Sequence, residues 1–267
     1  MHGSNNQKIA GPAPNVDNLS LIEVHQVSRK FGSLTAVTDV TFAVDAGNIC
    51  GLVGSDGAGK TTLLRMIATM IRPTKGSIFV DGLDVVAQRS GVKEVIGYMP
   101  QRFGLYQDLT VRENLDFFMD IYGIAGAARN RRRDTYLGFS NLLPFLDRKA
   151  GDLSGGMKQK LGLACVLVHQ PKVLILDEPT NGVDPVSRQE FWDILTVMKR
   201  NGMTILVATA YLDEGEKCDH LILMHNSRVL DVATPHAIRA DFSDLEEAMI
   251  HRIQAADATM VEDNFGF

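Results

Sequence analysis

Apolar positions recur along this chain in two rhythms. In "LIEVHQVSRKF" and "VTDVTFAVDAGNICGLVG", covering residues 21–54 with a short gap, β-branched and apolar residues alternate or run together between glycines, the pattern of strands. Over residues 61–71 the apolar positions Leu63, Leu64, Ile67, Ala68 and Ile71 return at helical spacing. Short strands are expected near residues 77–80 and 96–99. From about residue 102 to 168 the pattern is helical, with "VRENLDFFMDIYG" and the stretch after Asn130, before strand and helix alternate again through "KVLILDEP", "VSRQEFWDILTVMKR" and "MTILVATA". The pattern predicts an α/β core interrupted by a helical insertion. The expected domain spans residues 19–240, after a flexible leader at 1–18. Residues 241–267 are expected to form a C-terminal helix, "DLEEAMIHRI", and a linker-like tail, "QAADATMVEDNFGF".

Composition narrows the classes. With 267 residues and 45% hydrophobic content the chain can bury a full core, as one large domain or two lobes. A net charge of -5 offers nucleic acid no general attraction, so none is expected as a partner. Cys50, Cys165 and Cys218 are widely spaced and odd in number, which reads as small core residues in a reducing compartment. The longest apolar run, "LGLACVLV", falls well short of the ~20 residues of a membrane helix. The opening residues lack the apolar segment of a secretion signal, so a soluble, cytoplasmic chain is expected.

Three motifs carry chemistry. Gly54-Ser55-Asp56-Gly57-Ala58-Gly59-Lys60-Thr61-Thr62 follows an apolar strand and opens a helix, which is the context of a phosphate-binding P-loop. Its glycines let backbone N–H groups turn inward, and the helix N-terminus adds positive potential. Lys60 suits β- and γ-phosphate charge, and Thr61 suits Mg2+. The second motif, "KVLILDEPT", is a buried-strand run ending in Asp177 and Glu178. Asp177 fits metal binding, and Glu178 fits polarising an attacking water. In the third, Ser154-Gly155-Gly156-Met157, a serine suited to a helix N-cap precedes two glycines that bare backbone amides, a second anion site.

Two phosphate-binding helix starts in one chain resemble the ATP-binding cassette (ABC) ATPases, in which the P-loop of one domain and the signature of another sandwich ATP. The resemblance spans about residues 21–240. It implies that Phe31 stacks on adenine, that Gln101 contacts Mg2+ and links the core to the helical subdomain, and that Asp184 lies in the loop crossing the dimer interface. It also implies an antiparallel β lobe beside the P-loop core and ATP hydrolysis driving transport through a membrane-spanning subunit. A second ABC domain, identical or tandem, is implied as partner, with the chain on the cytoplasmic face of the inner membrane. "QRFGLYQDLTVRENLDFF" and "LSGGMKQKLGLA" look most like drug- or polysaccharide-type bacterial exporters.

The chain departs from that family at two places. Ser55-Asp56 replaces a common Pro-Asn pair at variable positions. More consequentially, Ala210 stands where the family carries a histidine that contacts the γ-phosphate, with Tyr211 next. The "ATAY" departure resembles the first half of subunits that carry two cassettes. Alternatives are a regulatory cassette that binds ATP with little turnover, and a soluble ABC ATPase acting on ribosomes or DNA. The basic run "ARNRRRD" reads as a solvated helix face.

Overall fold

In the computed structural model, residues 20–265 are described, with side chains as far as Ala258. The expected leader at 1–18 lies outside them. The chain opens as a hairpin of β1 (Ser20–Phe31) and β2 (Leu34–Asp45). It then enters the core as β3 (Ile49–Gly54), turns through the glycine-rich loop into α1 (Lys60–Ile67), and returns beside the hairpin as β4 (Lys75–Val80) and β5 (Leu83–Asp84). Next come α2 (Arg89–Val95) and β6 (Ile96–Met99), followed by the helical segment of α3 (Val111–Ile121), α4 (Gly126–Phe139) and α5 (Gly155–Leu167). The remainder is β7 (Val173–Asp177), α6 (Pro185–Arg200), β8 (Thr204–Thr209), α7 (Leu212–Gly215), β9 (His220–His225), β10 (Arg228–Ala233), α8 (Pro235–Arg239) and α9 (Leu245–Phe265).

Two sheets result. The first is four-stranded and antiparallel, in the order β2-β1-β4-β5. The second is six-stranded, β10-β9-β3-β8-β7-β6, and parallel except for β10 at its edge. Every residue of β3, β7 and β8 is buried, as continuous apolar runs require of central parallel strands. Their register matters for the site: Val53 pairs with Thr209, and Asp177 with Ala208. The C-terminal ends of these three strands therefore meet along one edge, where α/β sheets present ligand sites.

The core divides by layer. One cluster joins the antiparallel sheet, α1 and one face of the main sheet, through residues such as Val24, Leu63, Ile78 and Leu206. A second lies on the opposite face under α5, α6 and α9, with Trp192 and Phe191 at its centre. The helical segment packs around a third cluster of its own, including Leu115, Leu137 and Leu161. Thr110 and Glu113 form a capping box that starts α3.

Two readings change in the structure. The polar stretch after Ile253, expected to be linker-like, is the continuation of α9 as far as Phe265. Up to Phe265 it contains neither glycine nor proline, and its Ala, Gln, Met and Glu residues favour helix without an apolar stripe to announce it. The arginines of α4 are also engaged more than a solvated face implies. Arg129 pairs with Asp116 and Asp120, and Arg133 pairs with Asp116 at 2.6 Å, tying α4 to α3. Arg132 donates to the Val168 carbonyl beyond α5.

Candidate functional site

The loop between β3 and α1 shows why its glycines stand where they do. Gly59 caps α1 at φ +103°, and a Cβ there would lie 2.3 Å from the Ala36 carbonyl oxygen. Only glycine adopts that backbone against so close a neighbour. Lys60 follows, 4% exposed, and folds back so that Nζ donates to the carbonyls of Gly54 (2.7 Å) and Ser55 (3.0 Å). Its ammonium is thereby held over the mouth of its own loop.

The second strand end lies against this loop. Thr61 Oγ1 donates to Asp177 Oδ1 at 2.9 Å, and the Tyr98 hydroxyl sits 3.4 Å from Oδ2. Asp177 is 1% exposed. Burial pushes its carboxyl above the usual range, the Thr61 hydroxyl draws it partly back, and the neighbouring Glu178 carboxylate raises it again. Glu178 takes a left-handed conformation at φ +50°, pinned by its N–H on the Ala208 carbonyl at 2.9 Å. Such conformations are costly for a residue with a Cβ and collect at functional sites. Gln101 Nε2 and Asn181 Nδ2 both donate to Glu178 Oε2, at 2.8 and 3.1 Å. Among the described residues Oε1 accepts no hydrogen bond.

Lys60, Thr61, Gln101, Glu178 and Asn181 line one cleft of about 650 Å3, and Asp177 and Tyr98 are not among its lining residues. Its walls include Asp56, Gly57, Ala58, Gly59, Lys60, Thr61 and Thr62 from the loop, Gln101, Glu178 and Asn181 facing them, and Ala210 and Tyr211 at the end of β8. The remaining expected site residues lie elsewhere. Phe31 is 44% exposed at the end of β1, where the Arg29 guanidinium covers its ring at 4.3 Å, and it is not among the cleft-lining residues. Ser154 caps α5 by accepting from the Met157 N–H at 3.3 Å. Ser154 and Gly155 are exposed, Gly156 is buried against α6, and none of residues 154–157 lines the cleft. Asp184 caps α6, taking the Ser187 N–H at 2.9 Å, which holds its carboxyl below the usual range.

Sequence reasoning missed several participants. Asn181 and Ser227 line the cleft, and Thr180 and Thr209 donate to the fully buried Glu214 at 2.6 and 2.5 Å. Asn181 was within reach, since it follows Glu178 by three positions and lies in the same turn. Ser227 sits in the β9–β10 turn and carries no spacing signal. Among the described residues no helix is long and apolar enough to cross a membrane.

Comparison with known proteins agrees with this geometry. The family described as "ABC transporter" matches residues 37–181. A probable multidrug ABC transporter ATP-binding protein, YbhF, of Escherichia coli is 47% identical over 223 residues, covering 83% of this chain and 39% of that protein. The chain thus spans 39% of the length of that relative. The Nod factor export ATP-binding protein I of Burkholderia lata is 38% identical over 218 residues, 81% of this chain and 72% of that one. Among solved structures, an ATP-binding subunit of an ABC transporter superposes with a TM-score of 0.78 at 31% identity, covering 87% of this chain and 99% of the other.

Proposed function

The chain belongs to the ABC transporter family of ATP-binding cassettes, and from that premise we propose that it binds and hydrolyses ATP to drive a membrane-spanning exporter. The observation that carries this reading is the cleft itself, in which a P-loop faces a positioned glutamate, with the buried carboxylate of Asp177 bonded to Thr61 of that loop. The cassette occupies residues 19–240, with residues 102–168 as its helical subdomain. The name of the Burkholderia relative supports export as the direction. The membrane partner sets the substrate and holds the chain at the cytoplasmic face of the inner membrane.

Each residue has a task in this reading. The loop amides and the start of α1 cradle the phosphates, and Lys60 exchanges its two loop carbonyls for β- and γ-phosphate oxygens. Phe31 stacks on adenine at the end of β1. The buried, hydroxyl-bonded Asp177 with Thr61, and Gln101 through its carbonyl oxygen, form an oxygen set suited to Mg2+. When bound, Mg2+ neutralises charge on the phosphate oxygens. Glu178 holds Oε2 on two amide donors and keeps Oε1 for the proton of the attacking water. Ser154, Gly155, Gly156 and Met157 serve the ATP of a second cassette, with Asp184 at the joint.

Ala210 favours a second reading, a clamp that binds ATP without turnover, because its methyl offers no donor to the γ-phosphate. Phosphate release by the purified chain separates the two. Slow but measurable release is expected, and Ala210→His should raise kcat by about 10²-fold with little change in ATP affinity, the scale of one preorganised donor. Release indistinguishable from that of Glu178→Gln would favour the clamp.

A further inference from the structure

Tyr211 follows the alanine at the end of β8 and turns into the cleft beside Asn181. Its phenol lies 3.5 Å from Asn181 Oδ1, while Asn181 Nδ2 donates to Glu178 Oε2 at 3.1 Å. An amide side chain has one acceptor end and one donor end. Here the phenol takes the first and the carboxylate takes the second, so Tyr211 decides which way Asn181 points. Asn181 is itself exposed and would otherwise be free to turn its amide away.

The tyrosine ring is held from behind. The Arg188 guanidinium covers it at 4.5 Å, and Arg188 is tied in turn to Asp213 at 2.7 Å. The Tyr211 N–H donates to Thr209 Oγ1 at 3.0 Å, and Thr209 and Thr180 both donate to the buried Glu214. One carboxylate thus fastens the ends of β7 and β8 together, fixing the span that the Tyr211–Asn181–Glu178 chain must bridge.

Resting on the reading of this cleft as a hydrolytic site, we propose that Tyr211 is a positioning residue that orients Glu178 through Asn181. The strand end that lacks an imidazole at position 210 thereby supplies a hydroxyl from position 211, aimed at Asn181 and through it acting on the glutamate. This contact touches no loop amide, so it acts on turnover and leaves ATP binding alone. Hydrogen bonds of this kind are commonly long in a free enzyme and tighten in the substrate complex.

The test is Tyr211→Phe in the purified chain, which keeps the ring and its stack on Arg188 and removes only the hydroxyl. Steady-state phosphate release should show kcat lowered about tenfold and KM moved by less than about twofold, as for loss of a group that orients an active residue. Asn181→Ala should cost as much, and the double variant no more than either, since both break one chain. Unchanged kcat in Tyr211→Phe, or losses that multiply in the double variant, would overturn the proposal while leaving the hydrolytic reading intact. A wild-type chain that hydrolyses no faster than Lys60→Ala would sink that reading and the proposal with it.

Discussion

At the scale of single residues, Asp177 stands under two opposed demands. Stability argues against a carboxylate at a site 1% exposed, and burial accordingly pushes its carboxyl up. A group shifted upward contributes stability that is present below its unfolded value and lost as pH rises through its folded value. At neutral pH the ionised Asp177 is therefore a cost to the nucleotide-free chain. Asp177→Asn keeps an acceptor for Thr61 and cannot ionise. It should melt at a higher temperature than wild type at pH 7, with the advantage shrinking as pH falls to about 4, the unfolded carboxyl range. Hydrolysis of Mg-ATP should fall more than about tenfold through loss of the metal-facing charge. Thermal scans at the two pH values, beside phosphate release, check both halves. The residues that meet across the cleft divide by legibility. Lys60, Thr61, Asp177 and Glu178 could be found because each sits at a fixed step from a strand end. The partnership of Asn181, Tyr211 and Arg188 could not, since it joins two strand-end turns and α6, whose proximity only the sheet order creates.

At the scale of elements, the two helices α5 and α6 meet through their first turns. A Cβ on Gly156 would lie 2.4 Å from Ser187 Cβ, so glycine is what permits the caps of Ser154 and Asp184 to sit at one joint. Gly156→Ala should cost about 1–3 kcal/mol of overpacking strain. Ser187→Gly removes the struck atom, and combined with Gly156→Ala it should recover most of that loss despite its own helix penalty of roughly 0.5–1 kcal/mol. Urea midpoints of the two single variants and the double variant read this directly, and strict additivity would mean the contact is not the cause. The elements themselves were legible where pattern and burial agree: β3, β7 and β8 are apolar runs and are buried throughout. The end of α9 was not, because a helix without an apolar stripe leaves propensity as its sole trace. Nor could the arginines of α4 be assigned to Asp116 and Asp120 without the crossing of α3 and α4.

At the scale of the molecule, the cleft and the signature face belong to different surfaces. The P-loop, Gln101 and Glu178 share one site, and residues 154–157 line none of it. The exposed Ser154 and Gly155 at the start of α5 thus have no phosphate within their own chain to serve, which makes a second cassette part of the account. In this account that partner is a second copy of this chain. The most direct measurement is the mass of Glu178→Gln in solution. The glutamine keeps both amide contacts in reach and cannot take the proton of water, so ATP stays uncleaved between the two faces. Size-exclusion chromatography with light scattering should give a monomer without nucleotide and a dimer with Mg-ATP, returning to monomer when Lys60→Ala is added. A monomer at every Mg-ATP concentration, with nucleotide bound, would contradict the account.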